Sequence, residues 1–172
     1  MKVVIFLVLA VIGVGASIYI RNDGCVSTPF RGPGYDAERG VIAPGAGEEV
    51  LVALTYGRLD TEQTATFRAH MKKVLADLPT REGLIGFAVR KQIFGDEVWT
   101  MSAWTDEAAL EAFVYARPHQ EAAQSDTIPM DKTVFARRWL PADELPLSWE
   151  RARAILAEEA THAATPLVQG AD

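Results

Sequence analysis

The chain has 172 residues, a formal net charge of −6 and a single cysteine. This length suits one domain of ordinary size with appended segments. The acidic balance argues against a nucleic-acid partner, because proteins that bind nucleic acid present basic surfaces to phosphate. One cysteine excludes an internal disulfide.

The first segment, residues 1–21, is predicted to be a membrane anchor. Residues 3–20 are apolar or small and carry no charge, and Lys2 and Arg21 flank them. A helix that crosses a bilayer needs about 20 such residues, so the run predicts a single-pass anchor that contacts lipid in a bacterial-type inner membrane. The alternative is a signal peptide cleaved near Ala16. The charge bias is too small to fix the orientation, and we favour an extracytoplasmic soluble domain.

The next segment, residues 22–48, is a Gly/Pro-rich linker or arm. It shows neither a helical nor a strand period, which is typical of a tether. Phe30 and Tyr35 are more apolar than a spacer needs. Two interpretations therefore stay open: a free tether, or an arm whose aromatic residues contact a surface.

Residues 49–141 show the periods of an α+β domain in the order β-α-β-β-α-β. This order predicts a ferredoxin-like domain, with a four-stranded antiparallel sheet and both helices on one face. Asp60 or Thr61 is expected to cap the first helix and Thr105 the second, with Pro118 stopping or kinking the latter. The predicted elements are strand 50–59, helix 61–78, strands 84–94 and 97–104, a helix from 105, and strand 132–140.

Gly95-Asp96 predicts a two-residue hairpin loop, which would place Arg90 opposite Met101. Alternation puts Leu84 on the face of Met101 and Ile85 on the face of Trp104. Both faces are largely apolar.

The face away from the helices would carry Trp99 and Met101. An apolar patch of this kind is unusual on a soluble monomer. We therefore expect a second copy, the last helix of the chain or another protein to cover it.

Residues 142–172 are expected to form a C-terminal helix and tail. Within 148–164, apolar residues at helical spacing predict an amphipathic helix that packs on a neighbouring surface. Trp149 and Leu156 are its expected interaction residues.

The stretch SAWTDEAALEAFVYARPHQEA, residues 102–122, resembles antibiotic-biosynthesis-monooxygenase-like domains of the dimeric α+β-barrel superfamily. A Trp that ends the third strand, an EAL..F helix and a following His occur there in this order. The resemblance covers roughly residues 49–140. It implies a dimer whose sheets pack face to face, and a cavity between sheet and helices. Members include cofactor-free oxygenases, haem-binding proteins and domains without known activity, so fold alone does not assign chemistry.

His119 is the first candidate for chemistry, as a haem ligand or a proton donor. The structural alternative is that it packs at a helix end and hydrogen-bonds a backbone carbonyl. Trp104 and Tyr115 are candidate pocket walls, and Arg90 is a candidate site for an anionic group. The histidines have no metal-site spacing, so no metal is expected, and no cofactor unless haem binds at His119.

These observations lead to two hypotheses. The first is a membrane-anchored, non-catalytic accessory subunit of a larger membrane complex, photosynthetic or respiratory, whose partners are other subunits or a second copy. The second is a membrane-tethered oxygenase or haem-binding protein that acts on a lipophilic substrate.

Overall fold

The computed structural model describes residues 19–20, 24–125 and 127–164. The predicted anchor falls outside these residues except for Tyr19 and Ile20, which form a short strand and not the end of a membrane helix, and among the described residues no helix is long and apolar enough to cross a bilayer. The elements are β1 (Tyr19–Ile20), β2 (Cys25–Ser27), β3 (Tyr35–Asp36), β4 (Gly40–Val41), β5 (Glu49–Arg58), α1 (Thr64–Asp77), β6 (Leu84–Gln92), β7 (Glu97–Trp104), α2 (Glu107–Val114), α3 (Arg117–Ala123), β8 (Thr133–Pro141) and α4 (Trp149–Ala164).

The main sheet is antiparallel and has the order β1-β2-β6-β7-β5-β8. Four neighbouring strands, β6, β7, β5 and β8, form the predicted ferredoxin-like sheet. The prediction of four strands is corrected to six, because the segment before residue 48 adds β1 and β2 along the edge of β6. A separate two-stranded sheet pairs β3 with β4.

The segment 24–48 lies against the sheet as an arm. After β2, its backbone continues to pair with β6: the Arg31 amide donates to the Phe87 carbonyl at 3.1 Å, and the Gly34 amide donates to the Ile85 carbonyl at 3.0 Å. A Cβ at Gly32 would collide with the backbone of Gly86. Glycine at this point therefore allows the two backbones to approach closely.

The β6–β7 hairpin has a different register from the predicted one. Arg90 lies opposite Trp99, and Ala88 lies opposite Met101. The loop is longer than two residues, because β6 ends at Gln92 and β7 begins at Glu97. The Ile93 amide, on the arm side of β6, donates to the Gly24 carbonyl at 2.8 Å. The register moves by two residues, which leaves the faces of Arg90, Trp99 and Met101 unchanged.

A β-bulge interrupts β6 between Leu84 and Gly86. The extra residue places the side chains of Leu84 and Ile85 on the faces opposite to those that simple alternation predicts. Leu84 therefore packs with Trp104 on the helix side, and Ile85 packs with Met101 on the other side.

Two apolar clusters lie on opposite faces of the sheet. The helix-side cluster joins β5, β6 and β7 to α1 and α2; its buried members are Leu51, Val74, Leu78, Leu84, Phe87, Trp104, Leu110 and Phe113. The second cluster lies between the other face, the arm and α4, and it includes Trp99, Met101, Leu145, Leu147, Ala152, Ile155 and Leu156. The two clusters share the sheet as their common wall.

Candidate functional site

Three rings form a contiguous stack on the helix side of the sheet. The ring of Trp104, at the end of β7, lies 5.2 Å from the ring of Phe113 on α2, centroid to centroid. Phe113 in turn meets the imidazole of His119 on α3 edge-on at 4.7 Å. The Trp104 indole Nε1–H donates to the Ser102 hydroxyl at 2.9 Å. This arrangement holds His119 at the outer end of a fixed aromatic row.

Local sequence explains how α2 and α3 bring these rings together. Asp106, not the predicted Thr105, is the N-cap of α2, and its Oδ1 accepts from the Ala109 amide at 2.8 Å. Thr105 supports it by donating its hydroxyl to Asp106 Oδ2. A new helix, α3, then begins at Arg117 with Pro118 in its first turn, where a missing amide costs little. Pro118 therefore starts a helix after the break.

The imidazole of His119 has an assigned tautomer. Its Nδ1 lies 3.1 Å from the Val114 carbonyl oxygen, and a carbonyl can only accept, so Nδ1 carries the proton and Nε2 carries a lone pair. The same carbonyl accepts from the side-chain amide of Gln120. Burial lowers the pKa of His119 below its ordinary value, and the bond to Val114 opposes this shift only in part. The ring is thus a neutral imidazole near neutral pH.

The described residues around His119 show one feature of a haem site but not an open slot between Trp104 and Phe113. A carbonyl bonded to one ring nitrogen is the usual support for a metal-ligating histidine, and His119 has it. A porphyrin also needs an open apolar slot, yet Trp104 is buried and stacks on Phe113 without a gap. Among the described residues, no group of three His, Cys, Asp or Glu side chains could hold a metal ion either.

A cavity formed by described residues lies at the other end of α2. It has a volume of about 500 Å³ and is lined by the arm, the loop before β6 and the first turns of α2; its walls are Pro44, Gly45, Thr80, Arg81, Glu82, Gly83, Thr105, Asp106, Ala108, Ala109 and Ala112. Arg81 is engaged by Asp77 through both carboxylate oxygens. His119 is absent from this lining.

Arg90 lies on the opposite face of the sheet from His119. Its side chain is 2% exposed and donates to the Ser27 hydroxyl at 3.2 Å. Its guanidinium carbon lies 5.9 Å from the centroid of the Trp149 ring on α4. Because the sheet separates Arg90 from His119, these two predicted site residues do not converge, and Arg90 belongs to the layer beneath α4.

Most of the remaining predicted residues belong to the apolar cluster beneath the arm and α4, and one is exposed to solvent. Trp99 and Met101 are 6% and 1% exposed and lie beneath the chain's own arm and α4. Phe30, Tyr35 and Trp149 pack against the same cluster from above. Leu156 is buried in the cluster, whereas Tyr115, at the end of α2, is largely exposed and forms no wall of the aromatic row.

Two participants in the aromatic row were not among the predicted site residues. They are Phe113 on α2 and the Val114 carbonyl, a backbone group with no sequence signal. The spacing of Trp104, Phe113 and His119 could have identified the row only if the break between α2 and α3 had been placed correctly.

Comparison with known proteins identifies the type of domain. Residues 50–125 match the family model for antibiotic biosynthesis monooxygenases, so this part of the chain is similar to that family. No curated protein matches the chain.

Solved structures with a similar fold come from several organisms. A conserved protein from Methanosarcina mazei Go1 is 15% identical, with a TM-score of 0.47, and the match covers 53% of this chain and 92% of that one. A protein of unknown function from Nitrosomonas europaea is 18% identical, with a TM-score of 0.47, over 59% and 98%. Protein SO0527 from Shewanella oneidensis is 11% identical, with a TM-score of 0.47, over 55% and 93%.

Proposed function

We propose that this chain is a membrane-tethered oxygenase that acts on a small lipophilic molecule, with His119 as its general base. The observation that carries the proposal is the bond from His119 Nδ1 to the Val114 carbonyl, which leaves Nε2 as a proton acceptor. The family model spans Trp104, Phe113 and His119, which supports a shared chemical role for this side of the sheet. The proposed tether is the part of the apolar run 3–20 that precedes β1.

The reaction that suits a lone neutral imidazole is cofactor-free oxygenation of an acidic methylene beside an aromatic or carbonyl group. His119 Nε2 removes one proton, and the resulting carbanion passes electrons to dioxygen. One oxygen atom remains on carbon as a carbonyl, and the other leaves as water with both methylene hydrogens. Thus R₂CH₂ and O₂ give R₂CO and H₂O. Phe113 and Trp104 supply the apolar surface that keeps the base desolvated.

Replacement of His119 tests this role. With an aromatic ketone that carries an acidic methylene, we expect His119→Ala to lower kcat/KM by about 10²- to 10⁴-fold, the usual contribution of a general base. His119→Gln should lose as much, although its amide can still donate to Val114. Oxygen consumption is the measurement. His162→Ala is the matched control, because His162 is exposed on α4.

The pH profile separates a base from a structural residue. Because burial lowers the pKa of His119 from its ordinary value of 6.5, the neutral form persists as pH falls. The acidic limb of kcat/KM should therefore lie below pH 6.5 in the parent chain, and it should disappear from the residual rate of His119→Gln. Unchanged rates and profiles in both His119 variants would exclude it as the base.

A second candidate function is a non-catalytic accessory subunit of a larger membrane complex. The specific observation in its favour is that the chain covers its own second sheet face, while the edge strand β8 leaves Phe135 and Trp139 half-exposed. A surface of this kind suits contact with another subunit. Photosynthetic or respiratory assemblies are the hosts that we favour.

Extraction of native membranes in mild detergent tests the accessory role. We expect the chain to comigrate with a larger complex, and Trp139→Asp to release it. Tyr115→Asp is the control, since Tyr115 is also exposed but lies on α2 and not on the sheet edge. Migration of the parent chain by itself would rule out this candidate.

A further inference from the structure

Helix α3 carries the candidate base, yet apolar contacts fix it less than the other helices. None of its seven residues is buried, whereas α1, α2 and α4 each bury at least one residue. Ala122 of α3 packs against the helix-side cluster but is only partly buried. A segment with so few buried apolar contacts opens at a lower free energy than the rest of a domain.

Polar contacts hold α3 in its place. His119 Nδ1 and the side-chain amide of Gln120 both donate to the Val114 carbonyl, at 3.1 and 2.7 Å. Glu121 accepts a hydrogen bond from Lys73 of α1 at 3.0 Å, and both of these side chains are partly exposed. Water can replace each of these bonds. The helix can therefore detach without exposing a buried core residue of its own.

The chain is fixed on both sides of α3. Ala116, immediately before the helix, is buried, and its backbone is extended, with φ −66° and ψ 143°. Thr127, shortly after the helix, is 3% exposed, and its carbonyl accepts from the Asp60 amide at 3.0 Å. The helix can therefore move as a short flap between two anchored points.

We propose that α3 is a lid that carries the base of the active site. When α3 opens, His119 leaves the ring of Phe113, and a lipophilic substrate gains access to that ring. When α3 closes, the bond to Val114 returns the imidazole with Nε2 as the proton acceptor. Closure thus excludes water and delivers the base in one movement. The ion pair between Lys73 and Glu121 is the latch of the lid. This inference rests on the proposed function, in which His119 is the base.

Hydrogen–deuterium exchange of the full chain, resolved by peptide, tests the opening. A seven-residue helix does not persist once it is detached, so exchange of amides such as that of Gln120, which donates to the Ala116 carbonyl, reports detachment. We expect the α3 amides to exchange roughly tenfold faster than those of α1 and α2. Lys73→Met should speed α3 exchange by a further factor of about 1.5 to 5, the contribution of an exposed ion pair.

Arg117→Met is the matched control for the latch. Arg117 also binds Glu121, at 2.8 Å, but both residues lie on α3, so this change removes a cation from Glu121 without cutting the link to α1. Its effect on α3 exchange should be smaller than that of Lys73→Met. Equal effects would show that α3 unwinds independently of α1. That result, or α3 exchange as slow as that of α1 and α2, would overturn the lid.

A covalent bridge between α1 and α3 tests whether turnover needs the opening. In a Cys25→Ser background, Lys73→Cys and Glu121→Cys are joined by a short bis-maleimide. We expect the bridged chain to lose roughly tenfold or more of its kcat/KM for the aromatic ketone, relative to the same variant without the bridge. Equal rates would overturn the lid and leave His119 as the base. If the parent chain oxidises no ketone, the proposed function fails, and the exchange measurement still decides whether α3 opens.

Discussion

Trp104→Ala should destabilise the domain by about 3–5 kcal/mol, the usual cost of truncating a well-packed aromatic residue. The side chain is 0% exposed, stacks on Phe113 and donates its indole N–H to Ser102. Removing it leaves a cavity in the helix-side cluster and one hydroxyl without its donor. Urea unfolding monitored by far-UV circular dichroism gives the free energy of unfolding.

Trp139→Ala is the matched control for this change. Trp139 is 47% exposed on the edge strand β8, and surface substitutions usually change stability by about 0.5 kcal/mol or less. A comparable loss of stability in both variants would show that Trp139 is buried in solution, and hence that another molecule covers β8.

Ile155→Asp should release α4 from the sheet. Ile155 is buried in the cluster beneath α4, where a carboxylate would have no compensating partner. Its truncation alone would cost about 2–5 kcal/mol. We expect proteolysis between β8 and α4, binding of an apolar dye to the uncovered Trp99 and Met101, and self-association of the exposed face.

Ala157→Asp is the control on the same helix, since Ala157 is exposed and should tolerate a charge. The helix-side cluster does not include α4, so we expect its near-UV signal to persist in Ile155→Asp. Loss of that signal at the same urea concentration that releases α4 would show that both clusters unfold as one unit.

The β-α-β-β-α-β order could be predicted because it depends on local periods. Alternation also placed Trp99, Met101 and Arg90 on the correct face, although the hairpin register was wrong by two residues. The error arose because Gly95-Asp96 was taken as the whole loop, whereas both strands end earlier and the loop spans residues 93–96. The faces of Leu84 and Ile85 were predicted wrongly because of the bulge between Leu84 and Gly86. One unpaired residue moves the side chains before it to the opposite face of the sheet.

The arm was the least predictable element. Its Gly and Pro residues are typical of a tether, and no period shows that Cys25–Ser27 pairs with β6. Only Phe30 and Tyr35 indicated a surface contact. The last helix was predictable in extent, from the spacing of its apolar residues, but the buried Ile155 was not among the expected contacts.

At the candidate site, the sequence indicated His119 and Trp104 but not the neutral tautomer. That property depends on the Val114 carbonyl and on burial by Phe113, and both require the placement of α3. Arg90 was grouped with these residues because the strands adjoin in sequence. The sheet keeps them on separate faces.

The arm also affects the order in which the chain can fold. Its first residues leave the ribosome before β6 exists, and they can pair only after α1 has been made. The central strand β5 can pair with β7 once that strand is made, but its other partner, β8, follows both α2 and α3. Contacts of such long range slow folding, and Phe30 and Tyr35 stay in water meanwhile. Nascent chains should therefore depend on chaperones until β8 is complete.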